Sequence, residues 1–235
     1  MLSCISYNIF KGENLTQIVQ WLNSLSSPFD IICFQEFPIA EIDYLKNTLK
    51  PSNYNTAYAT NFSSGKGVYG ELTLILKKKA ELLESNIVLM ENSVVEQIIF
   101  KNKKERSSLI TKVLHNNKMF LLANTQLSSY SLNGKRRQQL SKVIKALNSF
   151  EVRSNSPVII LGDLNYSSLT KRDKLWDLVK QNNFINGHME KTHKLLSIID
   201  HQLDYVLYKN CRVQNIEVLK IPFSDHYPMT FSLQI

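Results

Sequence analysis

Four short signatures carry side chains with chemical potential. They are Asn8 in Ser6-Tyr7-Asn8-Ile9, Glu36 in Phe34-Gln35-Glu36, Asp163 with Asn165 in Gly162-Asp163-Leu164-Asn165, and Asp225-His226 behind Ser224. Each of the first three closes an apolar run that reads as a buried strand, and the fourth stands just before one. Polar residues at strand ends, gathered from distant parts of a chain, are how sheet proteins assemble an active site. Oxygen ligands, amides and one imidazole suit a hard divalent cation and a phosphate ester.

Each signature has a chemical and a structural reading. A carboxylate at the end of a buried strand, as at Glu36, must be paired or bound to metal, because isolated burial is too costly. Mg²⁺ takes only one or two protein carboxylates, so one Glu suffices; a salt bridge to lysine is the alternative. Asp163 and Asn165 lie two apart and so share one side of an extended segment. That suits a water-activating carboxylate beside an amide donor to a phosphoryl oxygen, and an Asx turn is the alternative. Asp225-His226 offers a metal ligand next to a phosphate donor. Asp204, in Leu203-Asp204-Tyr205-Val206-Leu207, could accept the other imidazole N–H and hold the ring.

The elements that must position these groups follow from apolar periodicity. Residues 2–9 and 30–34 read as strands around a helix at 14–26, which carries Leu15, Ile18, Val19, Leu22 and Leu25. Pro38 can open the next helix. Strands are expected at 54–60, 70–78, 85–90, 94–100, 107–114 and 118–127, with Asn116-Asn117 making a tight turn. Helices near 134–149 and 169–181 flank the strand that delivers Asp163, and strands near 203–208, 212–219 and 228–234 finish the chain. The pattern predicts a single domain over 1–235, a four-layer α/β sandwich of two mainly antiparallel sheets covered by helices.

A chain of 235 residues with 43% hydrophobic and 20% charged residues suits a soluble folded protein rather than a disordered one. No apolar run approaches the ~20 residues of a membrane span, and Met1 leads straight into the first strand without a signal-peptide pattern. Three scattered cysteines do not form a disulfide framework. The expectation is a cytoplasmic, intracellular monomer, with export by a dedicated secretion machine the alternative.

A net charge of +8 favours a polyanionic partner. Its clusters are Lys77-Lys78-Lys79, Lys101 to Arg106, Lys135-Arg136-Arg137 and Lys171-Arg172. Two other patterns carry less. Gly65-x-Gly67-x-x-Gly70 lacks the preceding strand and following helix of a dinucleotide site and reads as a flexible surface loop. His188, His193 and His201 have Cys211 as the only nearby thiol, so exposed loop histidines are expected rather than a zinc site.

In this order and with these strand contexts, the signatures resemble the endonuclease/exonuclease/phosphatase superfamily, the metal-dependent phosphoesterases with a DNase I-like fold. The resemblance spans essentially the whole chain. It also includes Asn124-Thr125-x-Leu127-Ser128 and Arg136-x-x-Gln139. It implies that Glu36 binds Mg²⁺ or Mn²⁺ with Asn8 and Asp225 close by, and that Asp163 activates water. Asn8, Asn165 and His226 would contact phosphate, with Asp204 behind His226. One place departs from the pattern: the family has His, or Tyr in its DNA-repair branch, where this chain has Gln126. A glutamine amide still donates to a phosphoryl oxygen but cannot carry charge or transfer a proton. Gln202 is a milder departure, where Arg is frequent. The implied partner is nucleic acid, with an anionic phospholipid or a small phosphate ester as alternatives. A non-catalytic nucleic-acid-binding module is the remaining reading, and Gln126 is its support.

Overall fold

Alternation of side chains along the first strand already sorts the core into layers. In β1 (Leu2–Asn8), Leu2 and Cys4 face one cluster with Cys33, Leu122, Ile159 and Phe231. Ile5 and Tyr7 face another, with Ile18, Val19 and Leu22 of α1 (Leu15–Ser24). The first cluster lies between two sheets and the second between a sheet and its helices.

A computed structural model describes residues 1–65, 67–99, 106–150, 155–166, 174–187, 190–195 and 199–235. After α1 come β2 (Ile31–Pro38), α2 (Ile42–Thr48), β3 (Tyr54–Ser64), β4 (Gly67–Leu76), β5 (Glu81–Met90) and α3 (Val94–Ile99). Then follow β6 (Arg106–His115), β7 (Lys118–Gln126), α4 (Asn133–Ser149), β8 (Val158–Asp163), α5 (Lys174–Gln181) and β9 (Ile185–Asn186). The chain ends with β10 (His193–Leu195), β11 (Ile199–His201), β12 (Asp204–Lys209), β13 (Arg212–Val218) and β14 (Met229–Gln234).

Two six-stranded sheets result, ordered β13-β14-β1-β2-β4-β3 and β5-β6-β7-β8-β12-β9. Each is antiparallel except for one parallel central pair, β1 with β2 and β7 with β8. α1 and α2 cover the first sheet, while α4 and α5 cover the second through Leu140, Val143, Leu147 and Leu175. This is the expected four-layer sandwich. Asn116 and Asn117 take φ of 49° and 59°, as the tight turn between β6 and β7 requires. Trp21 and Trp176 pack against the core. Among the described residues, no helix is long and apolar enough to cross a membrane.

Three expectations are overturned. Residues 94–99 form α3 and not a strand, because Ser93 Oγ accepts the Glu96 N–H at 3.1 Å and starts a helix. Ser93-x-x-Glu96 is the capping-box spacing, and it outweighs the β-branched run Val94-Val95. Arg106, expected within a basic cluster that favours a polyanionic partner, is buried instead. It begins β6, is 4% exposed, and pairs with Glu96 through Nε at 3.1 Å and Nη2 at 2.9 Å. Gly67 and Gly70 belong to β4 rather than a loop; a Cβ at Gly70 would stand 1.8 Å from the Ala59 carbonyl oxygen. The basic residues Lys101, Lys103, Lys104, Lys171 and Arg172, and also His188, lie outside the described residues.

Candidate active site

Strand register places the acidic groups side by side. Gln126 ends β7 opposite Asp163 at the end of β8, and Asp163 faces Asp204 at the start of β12. On the other sheet Asn8 lies opposite Gln35. A bulge between Phe34 and Phe37 shifts β2 by one place, and Glu36 takes a φ of 55° there. Bulges re-aim a side chain at the cost of local pairing. Buried amides fasten the sheets beneath this row: Gln35 Nε2 donates to Asn124 Oδ1 at 2.7 Å, and Asn124 Nδ2 donates to the Phe34 carbonyl at 3.0 Å. Gly162, with φ of +122°, lets β8 approach β7; a Cβ would meet the Thr125 carbonyl oxygen at 2.2 Å.

Asp163 is the hub. Its Oδ2 accepts from Asn165 Nδ2 at 2.8 Å, Asn8 Nδ2 at 3.1 Å and Gln126 Nε2 at 3.4 Å, and His226 Nε2 lies 3.9 Å away. Its Oδ1 accepts the Asn165 N–H at 2.8 Å, so the Asx turn and the site coexist. Burial pushes the Asp163 carboxyl up to about 6, against the pull of His226. Asp204 Oδ2 stands 2.8 Å from His226 Nδ1. Burial alone would lower the His226 pKa, but Asp204 and Asp163 outweigh it and raise it to about 10. For Asp225, burial works upward, yet His193 and His226 hold its carboxyl below the ordinary range.

Asn8, Glu36, Gln126, Asp163, Asn165, Asp204, Asp225 and His226 therefore come together around one end of the sandwich. A mouth of about 260 Å³ opens there, lined in part by Glu36, Asp163, Asn165, Asp225 and His226. Two placements differ from their expected use. Asn8 is buried beneath the mouth, with Oδ1 accepting the Phe10 N–H at 3.1 Å. The Asn165 amide is directed at Asp163 and at the Leu127 carbonyl, 3.0 Å away.

His193 is the residue sequence reasoning misjudged. Far from an exposed loop, it pairs in β10 with His201, its ring meets His226 edge-on at 4.6 Å, and its Nε2 lies 3.7 Å from Asp225 Oδ2. Thr192 anchors it there: Thr192 Oγ1 accepts the Asp204 N–H at 3.0 Å, and its carbonyl accepts the Tyr227 N–H at 2.7 Å. Arg106, Phe62 and Tyr130 also line the mouth. No spacing in the sequence ties Arg106 to this mouth; it is held there by its buried partner Glu96.

The donor set fits a hard cation. Glu36 uses Oε1 to accept from Gln126 Nε2 at 2.6 Å, whereas its buried Oε2 has no hydrogen-bond partner among the described residues. A lone buried carboxylate oxygen beside the mouth is what an oxygen-seeking ion needs. Carboxylate and imidazole atoms close enough to share an ion also occur in His193, Asp225 and His226, and in Asp163, Asp204 and His226.

A structure similar to this one is the endonuclease/exonuclease/phosphatase from Bacteroides vulgatus. It is 17% identical with a TM-score of 0.77, covering 100% of this chain and 98% of that one. A mannosyl-6-phosphatase of Bacteroides thetaiotaomicron is 16% identical with a TM-score of 0.76 over the full length of both chains. D. rerio TDP2 complexed with single-strand DNA product is 17% identical with a TM-score of 0.71, covering 100% and 99%. A search of the curated proteins finds no match. The family model for the Endonuclease/Exonuclease/phosphatase family matches residues 5–226, and the chain belongs to that family.

Proposed function

We propose that this protein is a divalent-metal-dependent phosphoesterase that hydrolyses phosphodiester bonds in nucleic acid. The observation that carries the reading is the pairing of a buried, donor-ringed Asp163 with Glu36 Oε2, which has no partner among the described residues, at one mouth. Glu36 would hold Mg²⁺ or Mn²⁺, with Asp225 a half-buried carboxylate lining the same mouth. Bound there, such an ion neutralises charge on the phosphoryl oxygens.

The chain's own residues supply the rest. Asp163 is the base that takes a proton from the attacking water, aimed by Asn8 and Asn165. His226, kept protonated by Asp204, donates to a phosphoryl oxygen as negative charge builds there. Gln126 braces the Glu36 and Asp163 carboxylates through Nε2, and Asn165 donates to a phosphoryl oxygen when one of its bonds to Asp163 or Leu127 is exchanged for substrate.

Nucleic acid is favoured by the net charge of +8. A groove between α4 and α5, lined by Lys135, Arg137, Lys142, Lys145 and Lys174, points the same way, and the likeness to a DNA-bound structure is consistent with it. The small mouth volume favours a second reading, a low-molecular-weight phosphate ester. Assays on DNA, RNA, an aryl phosphodiester and sugar phosphates, each with Mn²⁺ and with chelator, discriminate the two. Chelator-sensitive cleavage of DNA or RNA is expected. Turnover of monoesters alone would establish the second reading, and no turnover on any substrate would overturn both.

A further inference from the structure

Gln126 is the place where the sequence departs from the family pattern it otherwise resembles, and its surroundings are unusually well specified. Asn61 lies on β3 and is 2% exposed. Its Nδ2 donates to Gln126 Oε1 at 3.2 Å and to Glu71 Oε1 at 2.7 Å. Its Oδ1 accepts the Ser107 N–H at 3.2 Å. Both hydrogens and the oxygen of this amide are therefore used, which fixes which way it points. Glu71, on β4, is fully buried, and Ser107 Oγ lies 3.4 Å from its Oε2.

The consequence falls on Gln126. With Oε1 claimed by Asn61, its Nε2 must face Glu36 Oε1 at 2.6 Å and Asp163 Oδ2 at 3.4 Å. The flipped amide would press Oε1 against two carboxylates and an N–H₂ group against Asn61 Nδ2. Every contact would then be donor on donor or acceptor on acceptor, and each buried group left unpaired costs about 1–3 kcal/mol.

We propose that Glu71 and Asn61 are positioning residues: a buried relay, Glu71 to Asn61 to Gln126, that locks Gln126 as a donor to Glu36 and Asp163. The site is thus rebuilt around glutamine rather than decayed. The relay holds Glu36 by Oε1 and leaves Oε2 free of any hydrogen bond among the described residues, and Gln126 itself brings no titratable group to the mouth. The kinetic part of this inference rests on the phosphoesterase reading; the orientation of Gln126 does not.

Two measurements test it on the full-length protein. In a double-mutant cycle, Asn61→Ala and Gln126→Ala should each lower kcat and weaken Mn²⁺ affinity by about 10-fold or more, as loss of a partner behind a metal ligand does. The double variant should fall no further than the worse single one, because both remove one device. Glu71→Gln keeps an acceptor for Asn61 and should stay within about 3-fold of wild type, on the same reasoning. Wild-type kcat in a folded Asn61→Ala, or multiplicative losses in the double variant, would overturn the relay. The second measurement is hydrogen exchange of the Gln126 side-chain amide by NMR in the metal-free protein. Protection is expected in wild type and its loss in Asn61→Ala. Exchange at the rate of an exposed amide in wild type would overturn the relay even if Asn61→Ala does not fold. If wild type turns over no phosphoester, the phosphoesterase reading fails while the exchange measurement still decides the relay.

Discussion

Burial acts on Asp163 and His226 in opposite senses: it prevails at Asp163 over the pull of His226, whereas at His226 the neighbouring Asp204 and Asp163 outweigh it. His226 rises from the ordinary 6.5 to about 10. It therefore adds stability that is complete below pH 6.5 and drains away as pH climbs through about 10. Asp163, lifted to about 6, prefers its proton in the folded state, so ionising it between about pH 4 and 6 lowers stability. In metal-free protein, the gap in melting temperature between wild type and His226→Gln should be wider at pH 6.5 than at pH 8 and shrink further toward pH 10. A gap that stays constant over that range would contradict the assigned ion pair. Most of these residues were legible in sequence, because Asn8, Glu36, Asp163 and Asp204 each sit at the edge of an apolar run. Asn61 and Glu71 were not, since they lie inside ordinary strand sequence and meet Gln126 only through tertiary packing.

At the scale of elements, α3 does more than connect strands. Glu96 binds Arg106 in β6 and accepts from Ser128 Oγ at 2.7 Å and the Ser129 N–H at 2.8 Å. Arg136 Nε and Nη2 close the same loop by donating to the Ser128 and Ser129 carbonyls at 2.8 and 2.6 Å. This clamp fixes the segment that follows Gln126. Glu96→Ala leaves a buried guanidinium unpaired and should cost about 3–5 kcal/mol, measured by chemical denaturation; a loss below about 1 kcal/mol, the value of an exposed pair, would show that the pair is not structural. The strand pattern of 94–100 was misread because β-branched residues favour strands, while the cap comes from the single hydroxyl of Ser93. His193 was misread for a related reason. A three-residue strand carries too little periodicity to announce itself, and Thr192 positions it by contacts across the fold.

For the whole molecule, the layer order and the mainly antiparallel pairing were within reach of the apolar pattern, whereas the parallel central pairs β1 with β2 and β7 with β8 were not. Which strand ends converge was not, since register depends on the bulge at Glu36 and the close approach at Gly162. The basic groove belongs to this scale as well. Lys145 and Lys174 are exposed there, and Lys145→Glu with Lys174→Glu should weaken single-stranded DNA binding. The slope of log affinity against log salt should become shallower by about 0.7 per lost phosphate contact. An unchanged slope would remove this groove from the substrate path.

The central claim is that Asp163 activates water at a cation held by Glu36. It is tested most directly by the Mn²⁺-saturated hydrolysis rate of Asp163→Asn beside wild type, in preparations with matching melting temperatures. The change keeps the size of the side chain but removes the base. A fall of roughly 10²–10⁴-fold, the span attributed to a positioned general base, is predicted with Mn²⁺ affinity retained. A variant that hydrolyses substrate at the wild-type rate would contradict the account.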